Sequence, residues 1–179
     1  MNITLVSGST RKVRRSHRVA LAVARQINAL GHQASIIDLI ELDLPTFVER
    51  FGNIEDATGR LAHAANAMRI SDGLIFLTPE YNGAMSSGLK NFIDVFAKDA
   101  FDGKPIGVAT VSVGASGGIR AAYQLQQTIL SVLAYPIPRM LTVGNVEKVL
   151  DESGKVIDYK FQMKLDEFLD SYLGFVSKF

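Results

Sequence analysis

The chain has 179 residues, 47% hydrophobic and 21% charged, a balance that fits a compact folded protein and excludes a disordered or fibrous one. At this length roughly 70% of the extended surface can leave water, so a core forms without disulfides or a structural metal. Nineteen Lys and Arg against eighteen Asp and Glu leave a net charge of +1, giving no general attraction to nucleic acid, and the absence of Cys removes thiolate nucleophiles, thiol redox couples, iron–sulfur clusters and thiolate zinc sites together.

Short β-rich runs alternate with longer segments of helical period, which predicts a parallel sheet with helices on both faces. Asn2 to Val6 is the first strand; it meets Gly8 too early for a signal peptide, and no apolar run nears the roughly 20 residues that span a bilayer, so a cytoplasmic protein without a membrane partner is expected. Ser16 then caps a helix to Leu30, closed by Gly31. Next come a strand from Ala34 to Leu39, a helix from Glu55 to Ile70 and a strand from Gly73 to Leu77. A helix from Ser86 to Ala97, a strand from Ile106 to Val113 and a helix from Ile119 to Leu133, stopped by Pro136, follow. Ile137 to Val143 makes a fifth strand, Asp151 to Lys155 a hairpin or surface turn, and Phe161 to Leu173 the last helix. One domain over residues 1–179 is expected. Five strands with right-handed crossovers allow Rossmann-like order or flavodoxin-like order 2-1-3-4-5, and both put ligand chemistry on loops leaving the carboxyl ends of the strands.

Three such loops carry chemistry-bearing residues. Ser7-Gly8-Ser9-Thr10-Arg11 offers hydroxyls, a guanidinium and backbone N–H groups ahead of a helix, which suits a phosphate as well as it suits an ordinary polar turn. Arg11, Lys12, Arg14, Arg15 and Arg18 make a basic cluster beside it, lacking the aromatic partners of a nucleic-acid surface. Thr78-Pro79-Glu80-Tyr81-Asn82-Gly83 is a tight turn whose main chain suits a flat heteroaromatic ring, with Tyr81 over one side. Ser112-Val113-Gly114-Ala115-Ser116-Gly117-Gly118 matches the Gly-x-Ser-x-Gly pattern of a hydrolase, but His17, His32 and His63 all precede Ser116, whereas that fold needs its His afterwards. The glycines fit close approach of backbone to a ligand, with the next helix N-terminus directed at negative charge. Neither the Walker pattern nor the dinucleotide glycine fingerprint is present, and no residues show metal-ligand spacing, so no metal is expected.

Gly8-Ser9-Thr10-Arg11 with Ser16, Asp38-Leu39 leading to Leu44-Pro45, Pro79 to Gly83, Ser86 to Asn91, Phe101 to Pro105 and the Gly114 to Gly118 loop together resemble the NADPH-dependent FMN reductase family. The resemblance implies a flavodoxin-like three-layer α/β sandwich with a five-stranded sheet in order 2-1-3-4-5, binding FMN and oxidising NADPH or NADH as a homodimer or homotetramer. It implies that Ser9, Arg11 and Ser16 bind the FMN phosphate, with Thr10 and His17 completing that side of the cofactor set. Pro79, Glu80, Tyr81, Asn82 and Gly83 would hold the isoalloxazine, and Ser112, Gly114, Ser116, Gly117 and Gly118 its other edge. Four residues separate Arg11 from Ser16 where many members have two, and Arg18 replaces an Asn often found there. No catalytic acid, base or nucleophile is then needed, because the cofactor performs the hydride step. The electron acceptor would be a small molecule: FMN itself, a quinone or an azo compound. The rival is a flavodoxin-type electron carrier that does not oxidise NAD(P)H; a net charge of +1 and the absence of Trp count against it.

Overall fold

The computed structural model describes residues 1–55 and 58–179. Four long parallel strands form the sheet: β1 (Asn2–Ser7), β2 (Gln33–Asp38), β3 (Gly73–Pro79) and β4 (Pro105–Val111). Two short strands, β5 (Tyr135–Pro136) and β6 (Leu141–Val143), both pair with β4, so the order is β2-β1-β3-β4-β5 with β6 beside β4. This is the flavodoxin-like order.

Among the described residues the sheet has six strands rather than five: of the expected Ile137 to Val143 only Leu141–Val143 forms, and Tyr135–Pro136 pairs ahead of it. Pro136 and Pro138 lack the N–H that a ladder needs, and the chain leaves the ladder after Ile137 donates to the Ile106 carbonyl at 3.0 Å, rejoining β4 at Leu141.

The helices are α1 (Ser16–Ala29), the one-turn α2 (Leu39–Leu42), α3 (Arg60–Ile70), α4 (Ser87–Phe101), α5 (Ile119–Ser131), the one-turn α6 (Val146–Val149) and α7 (Tyr159–Val176). The helix expected from Glu55 starts at Arg60, after Gly59 in left-handed conformation; residues 56–57 of that expectation lie outside the described residues. Leu39, expected in β2, instead opens α2, where the Asp38 carboxylate accepts from the Ile40 amide at 3.0 Å. Helix α4 was expected to stop at Ala97, and Ala97 is indeed non-helical at φ 52, yet helical turns resume to Phe101. Asp151 to Lys155 is a turn closed by an antiparallel bridge between Leu150 and Val156. Among the described residues no helix is long and apolar enough to cross a membrane.

Every residue of β3 and β4 is buried, as continuous apolar runs require when both faces are covered. Alternate side chains serve two cores. Ile3, Leu5, Ile75 and Leu77 meet α1 and α7, whereas Val6, Leu74, Phe76 and Val108 meet α3, α4 and α5. The α7 side is fitted around Tyr172, fully buried, whose hydroxyl donates to the Leu74 carbonyl at 2.9 Å. A Cβ at Gly73 would lie 2.5 Å from that hydroxyl, and one at Gly107 3.0 Å from the ring. Tyr172→Phe leaves the ring in place and removes the bond, so thermal denaturation is expected to show a loss of about 1–2 kcal/mol, roughly 2–8 °C. An unchanged melting temperature would show that the bond contributes nothing net.

Register aligns Ser7 with Asp38 and Leu77, and Pro79 with Val111, while Val111 pairs with Val143. The carboxyl ends of all the long strands therefore open onto one edge, where the three loops meet.

Candidate functional site

The first loop leaves β1 under tight constraint. The Gly8 amide donates to the Leu77 carbonyl at 2.8 Å, and a Cβ here would sit 2.7 Å from that oxygen and 2.9 Å from Leu89 Cβ. Ser9, fully buried, places its hydroxyl 3.1 Å from that of Tyr81, and the Arg11 guanidinium lies 5.9 Å from the Tyr81 ring centroid. Arg14 is ion-paired with Asp38 at the end of β2, with its side chain 14% exposed. Its other terminal nitrogen, Nη1, is buried without a partner among the described residues, and so is the hydroxyl of Ser16.

Ser16 is the first residue of α1 rather than its cap. Arg15 holds the cap position and gives no side-chain bond, and the first turn carries no acid. This helix terminus therefore presents positive partial charge together with two unpaired buried donors. The basic cluster is less solvated than its composition suggests. Arg14, Arg15 and Arg18 face Asp38, Glu147 and Glu152, which leaves Arg11 and Lys12 without acidic partners among the described residues.

The second loop is a two-residue hairpin. Tyr81 and Ala84 exchange backbone bonds of 2.9 and 3.1 Å, and Asn82 and Gly83 take φ of 53° and 83°, the doubly left-handed turn that Asn-Gly favours. The Glu80 and Tyr81 amides are thus committed to Val111 and Ala84, so main-chain donation from this turn falls to Asn82 and Gly83. The Glu80 carboxylate reaches away to α5, accepting from the amides of Arg120 and Ala121 at 3.2 and 3.3 Å and from the Arg120 guanidinium. Negative charge was expected at the α5 N-terminus, and a side chain of the protein supplies it. Ser86 caps α4, accepting from the Leu89 amide at 3.2 Å, and donates to the Gly8 carbonyl, joining the first two loops.

In the third loop the Ser112 hydroxyl donates to the Gly114 carbonyl at 2.8 Å, and its amide to Val143 at 3.0 Å. Gly117 and Gly118 have φ of 64° and 83°. The close approach that the glycines allow is to protein: a Cβ at Gly117 would lie 2.8 Å from the backbone of Thr142, and one at Gly118 3.2 Å from Thr110 and 3.3 Å from Glu80.

A cavity of about 340 Å³ lies among these loops, and Ser9, Arg11, Ser16, Pro79, Glu80, Tyr81 and Ser112 of the expected set line it. Arg14, Val13 and Val113 line it too, the two valines exposed on its lips. Thr10 faces a separate hollow beside Asp43, Ser87 and Asn91, and Asn82, Gly83, Gly114, Ser116, Gly117 and Gly118 stand outside the lining. A larger hollow of about 600 Å³ between β2 and α3 contains none of the expected residues. Arg14 was legible only as one member of a basic cluster; its partner Asp38 comes from the neighbouring strand.

His17 also lies behind the cavity, its Nδ1 3.0 Å from the Ser7 hydroxyl and 3.6 Å from Asp38. Burial, aided by Arg14, lowers its pKa from the ordinary value of 6.5 against the opposing pull of Asp38 and Glu41. A depressed histidine pKa gives stability that is complete above about 6.5 and is lost as pH falls through the folded-state value. The fall in melting temperature between pH 7 and pH 5 is therefore expected to be smaller in His17→Gln than in the wild type, and equal falls would refute the assignment.

Residues 1–148 match the model of a family described as NADPH-dependent FMN reductase. A quinone reductase of Pseudomonas putida is 31% identical over 182 residues, an alignment covering 98% of this chain and 94% of that protein. An NADPH azoreductase of Bacillus sp. is 27% identical, covering 96% and 94%. Among solved structures, the flavoenzyme NAD(P)H:(acceptor) oxidoreductase of Paracoccus denitrificans superposes with a TM-score of 0.80 at 23% identity, covering 99% and 97%, and an archaeal flavodoxin with 0.63 at 12%, covering 99% of each chain. Both share the fold.

Proposed function

The chain belongs to the NADPH-dependent FMN reductase family, and from that premise we propose that it binds FMN in the cavity among the three loops and oxidises NAD(P)H. The observation that carries the site is the pair of buried donors without partners among the described residues, Ser16 Oγ and Arg14 Nη1, at an α1 N-terminus whose cap residue gives no side-chain bond. Leaving such groups buried and unsatisfied costs about 1–3 kcal/mol each, and a phosphate monoester satisfies both at once. Ser9, Arg11, Arg14 and Ser16 would hold the phosphate. Pro79 and Tyr81 would border the ring on one side and Ser112 on the other.

FMN, when bound, supplies the hydride chemistry, accepting two electrons from NAD(P)H and returning them to an acceptor. The protein's part is to hold and orient. Ser9 holds the Tyr81 hydroxyl and the Arg11 guanidinium lies over the Tyr81 ring, and the exposed Val13 and Val113 offer an apolar mouth to a flat partner. A quinone, an azo compound or free FMN suits that mouth, and the quinone reductase and azoreductase relatives support this range. The proposal takes residues 1–179 as one FMN-binding domain, working in the cytoplasm as a homodimer or homotetramer.

The test is to titrate the purified protein with FMN and follow NADPH and NADH oxidation with and without it. FMN-dependent oxidation is expected. A protein that stays yellow through purification would retain FMN and pass electrons to an external acceptor, whereas a colourless one would use FMN as its substrate. No oxidation at saturating FMN would overturn the proposal.

A further inference from the structure

The Glu80 side chain is 7% exposed although its guanidinium partner, Arg120, is 73% exposed. A buried carboxylate costs free energy unless its lone pairs are filled, and here four donors fill them: the amides of Arg120 and Ala121, and Nε and Nη2 of Arg120. Burial works against ionisation, but the Arg120 guanidinium and the two amides outweigh it and pull the pKa below the ordinary carboxylate value. The Arg120 side chain also lies over the hairpin, 3.8 Å from where a Gly83 Cβ would stand.

The consecutive residues Glu80 and Tyr81 thus run in different directions from one cavity wall. Glu80 reaches α5 beyond the third loop, and Tyr81 reaches Ser9 in the first. Glu80 also donates its amide to Val111, at the end of β4. We propose that Glu80 is a positioning residue: its carboxylate, held by Arg120 and the α5 N-terminus, clips the hairpin to the third loop and so sets the width of the cavity, without contacting the ligand. The clip rests on the FMN-binding proposal for its consequence but not for its geometry.

Three variants test it: Glu80→Ala, Glu80→Gln and Arg120→Ala. Glu80→Ala removes every bond of the carboxylate but keeps the backbone bond to Val111, so the FMN dissociation constant rises roughly tenfold or more, while Arg120→Ala leaves the α5 amides in place and gives a rise of about threefold. In the protein without FMN, amide exchange at residues 82–84 and 112–121 accelerates in Glu80→Ala, to a lesser degree in Arg120→Ala, with α3 unchanged.

Glu80→Gln distinguishes a clip from direct contact. A clip predicts that its loosening of FMN tracks faster exchange; weaker FMN binding with exchange unchanged and Arg120→Ala silent would overturn the positioning role. Wild-type affinity and exchange in both Glu80→Gln and Arg120→Ala would overturn it as well, and these variants serve if Glu80→Ala does not fold. If the wild-type chain fails to bind FMN, the functional proposal falls while exchange in the free protein still decides the clip.

Discussion

Arg14→Ala is expected to raise the dissociation constant for FMN by roughly a hundredfold, as loss of a buried charge-assisted contact to phosphate requires, while riboflavin binding stays near the wild-type value. The difference between the two ligands is the phosphate, so the contrast isolates the subsite from the ring site. Arg14 is suited to this role because one end of its guanidinium is already spent on Asp38, which fixes the side chain, and the other is buried and unpaired among the described residues, in a cavity that Ser16 also lines. The donor is therefore in place before the ligand arrives, and little rotamer entropy remains to be lost.

The single substitution also takes from Asp38, 7% exposed, its guanidinium partner and leaves it the Ile40 amide at 3.0 Å and His17 at 3.6 Å, so stability falls together with affinity. Arg14→Ala combined with Asp38→Asn separates the two effects. The double variant should recover much of the melting temperature and none of the FMN affinity. A double variant that binds FMN as the wild type does would move the phosphate site elsewhere in the loop.

The sequence made the fold legible where one local pattern decided an element. Buried β3 and β4 are continuous apolar runs, and both were placed within two residues of their observed ends. It misled where a single residue changed the ladder: the apolar character of Ile137 to Val143 concealed the missing N–H of Pro138, so that only Leu141–Val143 of the expected strand formed, with the short Tyr135–Pro136 pairing ahead of it. The strand order came from resemblance, because alternation alone fits two topologies.

The site divides in the same way. Ser9, Arg11 and Tyr81 are legible from a loop's position after its strand, since the parallel fold sends those loops to one edge, whereas Ser16 reads locally as a helix cap and enters the expected set only through the family resemblance. Arg14 could not be told from its basic neighbours, because what distinguishes it is Asp38, 24 residues away and brought near by the pairing of β1 with β2. Glu80 was legible as a loop residue but not as the α5 cap, which depends on a contact 40 residues distant. The glycines of the third loop were read for their freedom to approach a ligand; the freedom is real, but at Gly117 it is used against the backbone of β6.

That use makes Gly117→Val the most disruptive single change expected in the loop. Gly117 has φ of 64°, and a Cβ there would lie 2.8, 2.9 and 3.0 Å from backbone atoms of Thr142, Val143 and Gly144, none of them a side chain that can turn aside. Gly144 faces it under equal constraint, its own Cβ position 2.6 Å from the Ala115 carbonyl oxygen. The left-handed conformation costs a branched residue about 1–2 kcal/mol, and overlap with backbone adds about 1–3 kcal/mol, so thermal melts should show a loss of roughly 5–15 °C. Because Ser112 lines the cavity and is anchored to Val143 and Gly114, displacing this loop also weakens FMN binding in the titration. Gly114→Ala is the control: its Cβ would meet only the Ser112 hydroxyl, at 3.8 Å, so it should stay within about 0.5 kcal/mol of the wild type. Equal melting temperatures for the two variants would show that the third loop can leave β6 freely, and that its glycines serve something other than packing.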